Sequence, residues 1–320
     1  MRLHAPAKIN LHLRVGPRRG DGFHPLLTWM TTVGLFDTLD LNPVDSPGGG
    51  VIDGNAGCLS LATDDPALPT DARNLVVRAA SALADTRLRR VGEGPLGKRA
   101  VSAFLHKRIP SGAGLGGGSS DAAATLLGLN RLWDTGLSVG QLASIGATLG
   151  SDVPFFFHGP SSVCSGRGEV VVPIAPPASV KWALLVMPRL GLSTASVYAT
   201  FDAMAPHGLK SGEEEWVVDE PDNEPDWDTW VRLNASSLLP RLVNDLEPAA
   251  FAVEPTVGRL RTSLEEQLSR PVRMSGSGST LFTLYDTREE TERAARQLAT
   301  TDVRVEVVEL APLVPSPVLR

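Results

Sequence analysis

The stretch IPSGAGLGGGSSDAAATLL, Ile109 to Leu127, places Gly112, Gly114, Gly116, Gly117 and Gly118 within seven positions and follows them with two serines and an alanine-rich run. Glycine has no Cβ, so such a stretch reaches left-handed φ at little cost and lets its main-chain N–H groups approach another molecule closely. The alanines and leucines that follow are strong helix formers, so the loop ends at a helix N-terminus. There the unpaired N–H groups and the positive end of the macrodipole favour an anion, and phosphate is the anion the pattern predicts. A tight connection with no ligand is the plainer reading, but so many glycines are costly in chain entropy.

Working outward, AVSAFLHKRI reads as a strand entering the loop and SSDAAATLLGLNRLW as the helix leaving it. SVGQLASIGATLG opens with a capping-box pattern, Ser138 with Gln141, and stops at Gly150. At the N-terminus KINLHLRV alternates Ile9, Leu11, Leu13 and Val15 with a polar face of Lys8, Asn10, His12 and Arg14. LLTWMTTVGLFDTLDL is further strand, a short strand is expected near Val51, and NLVVRAASALADTR is an amphipathic helix. DVPFFFHG and SVCSGRGEVVVPI read as short strands around turns. Composition shifts near Pro173 to Pro177. Beyond it come strand VKWALLVMP, helix STASVYATFDAM, helices at ASSLLPRLVNDLEPAAF and TVGRLRTSLEEQL, strands VRMSG and STLFTLYD, helix REETERAARQLA and strand VRVEVVEL. Strands and helices mix without strict alternation, which predicts two α+β domains, 1–172 and 178–312, over a doubly wound sheet.

Between Glu213 and Asp228 stand nine acidic residues and no basic one, so without them the net charge of −6 becomes +3. The body of the protein therefore suits an anionic ligand, and the overall balance gives no sign of nucleic-acid binding. The segment 205–230 reads as an insertion whose Trp216, Trp227 and Trp230 are expected to pack back on the surface. Two cysteines, Cys58 and Cys164, make no disulfide framework and fit a reducing compartment. No apolar run reaches the roughly 20 residues of a membrane span, and Met1 leads into LHAPAKINLHLRV without a leader pattern, so a cytoplasmic location is expected.

Three ligands compete for the glycine loop. A Walker A loop needs Lys-Ser/Thr after its last glycine, and Ser119-Ser120 follows Gly118 without a lysine. Gly112-x-Gly114-x-x-Gly117 matches a dinucleotide fingerprint, but the acidic residue at the right spacing, Asp134, precedes Thr135-Gly136 and reads as a helix stop. The third pattern, PSGAGLGGGSS from Pro110 to Ser120, resembles the phosphate loop of the galactokinase, homoserine kinase, mevalonate kinase and phosphomevalonate kinase (GHMP) superfamily. PAKINLHL, LGSDVPFFFHG and MSGSGST resemble that family's other motifs in the expected order. The resemblance implies its two-domain α+β fold, an N-terminal ribosomal protein S5 domain 2-like nucleotide domain with a C-terminal ferredoxin-like α/β plait. APAKINLHLRVGPRRGDGFHPLLT, with NLVVRAASAL, GSDVPFF and NDLEP, is similar to the branch whose acceptor is a cytidine-diphosphate-linked methylerythritol in non-mevalonate isoprenoid synthesis. Another small-molecule kinase of the superfamily is the alternative, and a non-catalytic sensor on the same fold is the reading from a different class.

The resemblance implies transfer of the ATP γ-phosphoryl group to an alcohol, with Asp152 as base and Lys8 as the cation that orients the hydroxyl and steadies the moving phosphoryl. It expects Pro110, Ser111, Gly112, Ala113, Gly114, Leu115, Gly116, Gly117, Gly118, Ser119 and Ser120 around the phosphates, with Lys107 and Asn74 around adenosine. Asn74 also suits a helix N-cap. Pro154 is expected to bias Val153 toward extended backbone beside Asp152. Substrate contacts are expected from Asn10, Phe23, His24 and Tyr198, Phe23 standing where the family has tyrosine. Mg2+ is expected to travel with ATP, without a dedicated carboxylate cluster, and the expected state is monomer or homodimer. SGSGS, Ser275 to Ser279, reads as a second turn able to close over a diphosphate.

Overall fold

The computed structural model describes residues 1–44, 59–91, 100–204, 225–298 and 303–314. Strands β1 (Arg2–Val15), β2 (Leu26–Pro43) and β3 (Leu59–Thr63) precede helix α1 (Leu75–Val91) and strand β4 (Val101–His106). Helices α2 (Gly117–Leu132) and α3 (Val139–Leu149), a 3₁₀ turn at Pro154–Phe157, and strands β5 (Ser161–Ser165) and β6 (Val170–Pro173) follow. The second half runs β7 (Trp182–Pro188), α4 (Thr194–Met204), α5 (Trp227–Trp230), α6 (Ala235–Leu238), α7 (Glu247–Val253), α8 (Pro255–Leu268), β8 (Arg273–Met274), β9 (Leu281–Tyr285), α9 (Arg288–Gln297) and β10 (Val303–Glu309). The first six strands form one sheet, in which β2 pairs with β1, β4 and β5, and the last four form a second in the order β10-β7-β9-β8.

The sheets change between Pro173 and Trp182, yet the apolar core does not divide there. Leu3 and Ala5 of β1 join the cluster with α1 and α2, led by Leu83, Leu126 and Trp133. Ala7, Ile9 and Leu11 join a second cluster with Ala183, Leu185, Phe282 and Leu284 of the other sheet. Leu13 and Val15 join a third with Leu184, Val186, Leu246 and Leu281. One strand thus threads all three clusters. The polar residues of β1 are covered too: Lys8, Asn10 and His12 are buried, while Arg14 near the strand end is exposed.

Three expectations are corrected. DVPFFFHG is not a strand but a turn and a 3₁₀ helix, with Pro154 at its first position. Val153 before that proline is helical (φ −62°, ψ −42°), not extended. The usual clash with the proline ring is outweighed by complete burial of Val153 against α3, where Gly146 leaves it room. ASSLLPRLVNDLEPAAF is not one helix, because Pro240 and the Asn244 turn break it into α6, a 3₁₀ turn and α7. Asn130 braces the α2–α3 turn, and the Ser138–Gln141 capping box forms in full. Val51, Cys58, Trp216 and residues 205–224 of the acidic segment lie outside the described residues.

The end of that segment packs as expected: Trp227 lies 5.8 Å from Trp29 and Trp230 lies 5.3 Å from His12, both edge-on. The Val243 N–H donates to Nδ1 of His12 at 3.3 Å, so this nitrogen carries no proton. Burial, with the nearby Arg14 charge, pushes the His12 imidazole down to about 4 from 6.5. The unfolded chain then binds the extra proton between these values, so the His12 contribution is fully present above pH 6.5 and is lost as pH falls towards 4. A native structure tied to neutral His12 loses on the order of 3 kcal/mol across that window. Denaturant titrations at pH 7 and pH 4.5 are expected to show that loss, and His12→Gln to flatten the difference.

Candidate active site

β4 delivers the chain into the glycine loop, where Gly112, Gly114 and Gly116 all take positive φ (67°, 77° and 67°). Alternating left-handed and ordinary residues turn successive N–H groups to one side, the geometry of an anion nest. α2 then starts at Gly117 with Gly116 as N-cap and no side-chain cap, so its first-turn amides stay open for a ligand. The loop forms one wall of a cavity of about 350 Å³ lined by Pro110 to Ser119 in unbroken order. Lys8, Asn10, Thr28, Asp152, Tyr198 and Ser277 are among the other residues that line it.

The two charged groups meet there. Lys8 Nζ stands 3.3 Å from Asp152 Oδ2 and donates to Asn10 Oδ1 at 2.6 Å. The Lys8 side chain is 4% exposed, while that of Asp152 is 37% exposed and faces the opening. Lys8 is also pinned along the main chain, its N–H donating to the Leu115 carbonyl at 2.9 Å. Asn10 Nδ2 donates to Thr28 Oγ1, which donates to the His12 carbonyl. One amide hydrogen of Asn10 remains for a ligand. Burial and the Asp152 charge push the Tyr198 phenol up to about 12, so it is a neutral hydroxyl at the cavity wall. The same causes push the buried Cys164 thiol up to about 12, which removes it as a nucleophile.

The second turn interlocks with the first. Ser275 Oγ donates to the Gly114 carbonyl at 2.9 Å and accepts from the Asn10 N–H at 3.2 Å. The Thr280 N–H donates to the Ala113 carbonyl at 3.2 Å. Asn244 Nδ2 donates to both the Met274 and Gly276 carbonyls at 2.8 Å, and its Oδ1 accepts from the Leu246 N–H. Asn244 has no assigned role in the sequence reading. Its only signal is its place in NDLEP, because the carbonyls it holds are 30 and 32 positions away.

Other expected residues stand back from the cavity. Asn74 caps α1, its Oδ1 accepting from the Val76 N–H at 3.0 Å while Nδ2 donates to the Pro69 carbonyl. Lys107 points beneath the loop onto Asp37 and Asp121. Ser120 is buried behind Ser119. His24 sits between the Gly16 carbonyl (2.9 Å) and Asp202 (3.2 Å), its ring 5.1 Å from that of Tyr198. Phe23 is half exposed and carries the Arg167 guanidinium 4.6 Å over its ring.

The sequence and the fold match known proteins over nearly the whole chain. The GHMP kinases N-terminal domain matches residues 74–160 and the GHMP kinases C-terminal domain residues 223–303. The chain belongs to the GHMP kinase family and is an ATP-dependent phosphotransferase. A 4-diphosphocytidyl-2-C-methyl-D-erythritol kinase of Shouchella clausii (strain KSM-K16) is 38% identical over 289 residues, covering 90% of this chain and 87% of that protein. The protein of the same name from Geobacillus thermodenitrificans (strain NG80-2) is 37% identical over 286 residues, covering 88% and 87%. A crystal structure of 4-(cytidine 5'-diphospho)-2C-methyl-D-erythritol kinase superposes with a TM-score of 0.70 at 33% identity, covering 98% of this chain and 100% of that one. The homoserine kinase of Cytophaga hutchinsonii shares the fold, with a TM-score of 0.65 at 16% identity and coverage of 98% and 95%.

The loops tolerate a methyl group very unequally. A Cβ on Gly114 would stand 2.1 Å from the Ser275 carbonyl oxygen, on a backbone already at positive φ. A Cβ on Gly118 would meet only Leu75 Cδ1, at 3.4 Å. Gly114→Ala is expected to lower stability on the order of 2 kcal/mol and abolish nucleotide binding. Gly118→Ala is expected to change stability by less than about 1 kcal/mol. Thermal unfolding of the two variants side by side checks the contrast.

Proposed function

We propose that this chain transfers the γ-phosphoryl group of ATP to the 2-hydroxyl of 4-(cytidine 5'-diphospho)-2-C-methyl-D-erythritol, a step of isoprenoid precursor synthesis. One observation carries the reading: a buried lysine and a solvent-facing carboxylate 3.3 Å apart share one cavity with an uncapped, glycine-rich helix start. The relatives at 36–38% identity, all of that one name, supply the acceptor.

An alcohol is a weak nucleophile at neutral pH, and the transferring phosphoryl spreads negative charge over its oxygens. Asp152 takes the hydroxyl proton as the alcohol oxygen bonds to the γ-phosphorus and the bond to the ADP oxygen breaks. Lys8 stands against the same carboxylate and the entering oxygen, orienting the hydroxyl and balancing the charge that develops. The amides of Gly112 to Ser119 hold the phosphates in place, so the reaction needs positioning more than covalent chemistry. The Asn10 amide steadies the acceptor. The aromatic wall of Tyr198, backed by His24, suits a stacked cytosine ring.

The cavity offers Mg2+ hard oxygen donors, the Asp152 carboxylate and the Ser119 hydroxyl, and no cluster of three metal-ligating side chains occurs among the described residues. That set fits an ion carried mainly by the nucleotide, where it neutralises phosphate charge. Residues 1–172 and 178–312 act as two units, with 205–230 as an insertion in the second. Among the described residues no helix is long and apolar enough to cross a membrane.

An ATP-consumption assay on the cytidine diphosphate acceptor, mevalonate and homoserine tests the assignment. Turnover is expected with the first alone, and turnover of mevalonate in its place would move the protein to a sister kinase. Asp152→Asn and Lys8→Met are each expected to cut kcat by at least about 10²-fold while the variants still bind nucleotide. Near-normal kcat in either variant would remove that residue from the mechanism.

A further inference from the structure

The glycine loop is anchored by a buried ionic cluster that the phosphoryl-transfer chemistry does not touch. Lys107 is the last residue before Arg108-Ile109-Pro110, and its side chain is 7% exposed. Its ammonium pairs with Asp37 of β2 and, at 2.8 Å, with Asp121 of α2. Asp37 is fully buried, and its Oδ1 also accepts the N–H groups of Arg108 (2.5 Å) and Ile109 (2.9 Å). Three consecutive residues at the loop entrance are therefore tied to one carboxylate. Asp121 immediately follows Ser119-Ser120 at the loop exit. The 107–121 ion pair thus closes the loop across its base, and Asp37 fixes that base to the central strand of the sheet.

The loop rests directly on this cluster. A Cβ on Gly117 would stand 3.0 Å from Lys107 Nζ and 2.9 Å from Ile109 Cγ2, so the first residue of α2 has the ammonium against its back. Lys107 does not line the cavity, although the residues from Pro110 to Ser119 all do. Two of its three ammonium donors are engaged by carboxylates that are themselves buried.

We propose that Asp121, acting through Lys107, and Asp37, acting through Lys107 and the main-chain N–H groups of Arg108 and Ile109, are positioning residues that hold the phosphate loop in its nucleotide-binding conformation. This rests on the kinase reading above. Electrostatics agree with the geometry. Burial opposes the Lys107 charge, but Asp121 and Asp37 outweigh it and hold the ammonium above its ordinary range. Burial, offset in part by Lys107 and reinforced by Asp37, pushes the Asp121 carboxyl up, so the contact with the Lys107 ammonium is what favours its charged form. One oxygen of Asp121 has no partner among the described residues.

The test is a double-mutant cycle of Lys107→Gln, Asp121→Asn and the double variant, all close in shape to the native side chains. The readouts are KM for ATP, KM for the acceptor, and calorimetric affinity for a nonhydrolysable ATP analogue. Each single variant is expected to weaken ATP and analogue binding about tenfold with acceptor KM unchanged, and the double to be no worse than the weaker single. Additive losses approaching about a hundredfold would mean that Lys107 touches the nucleotide itself and would overturn the proposal. Unchanged analogue affinity in the singles, or equal rises in both KM values, would overturn it too. A wild-type protein that binds the analogue but phosphorylates no acceptor would sink the kinase reading and leave the clamp standing on the affinities.

Discussion

The site depends on one close approach, the bare Cα of Gly114 against the Ser275 carbonyl. The glycine loop grows from the first sheet and the Ser275–Ser279 turn from the second, and the two main chains can interlock only because position 114 carries no side chain. Ser275 Oγ joins Gly114 to Asn10, and Asn10 holds the Lys8 ammonium. The cation, the nest of amides and the second turn are therefore parts of one hydrogen-bonded unit. β1 threads three apolar clusters and so holds Lys8 and Asn10 rigidly where both sheets meet. Misplacement by one ångström at such a centre costs rate steeply, which is why a catalytic strand is best buried on both faces.

Charge is divided along the same lines. Main-chain dipoles at the start of α2 are open to an anion and would cost nothing to reorganise on its binding. Formal charge inside the cavity is confined to Lys8 and Asp152, each the partner of the other, so neither is buried alone. Asp37 and Asp121 lie beneath the loop and are matched by Lys107, while Asp64 at the loop entrance is matched by Arg108. A negative ligand thus meets open amides first, with acidic groups behind the main chain and screened by an ammonium.

Much of this was legible in the sequence because it is local. The loop, its helix and the Ser138 cap are short-range patterns, and the structure places the loop as one wall of the cavity. Lys8 and Asp152 were named through motif resemblance, 144 positions apart, and they meet at 3.3 Å. What was not legible depends on long-range packing. Alternation in KINLHLRV separates an apolar from a polar face but does not say what covers each: Ala7, Ile9 and Leu11 pack on the second sheet, while Lys8 and Asn10 meet the glycine loop, Asp152 and Ser275. The Val153–Pro154 backbone obeys its burial under α3 and not the local proline preference. Asp37 lies within the strand LLTWMTTVGLFDTLDL with no role attached to it in the sequence, and only the fold brings it under the segment 107–109. Asn244 is likewise silent until the 274–276 turn arrives beside it.

A crystal of the protein grown with a nonhydrolysable ATP analogue tests the account most directly. Triphosphate oxygens should lie within hydrogen-bonding distance of the main-chain amides between Gly112 and Ser119, with the γ-phosphate facing Lys8 and Asp152. A nucleotide bound elsewhere, or one whose γ-phosphate points away from that pair, would contradict it.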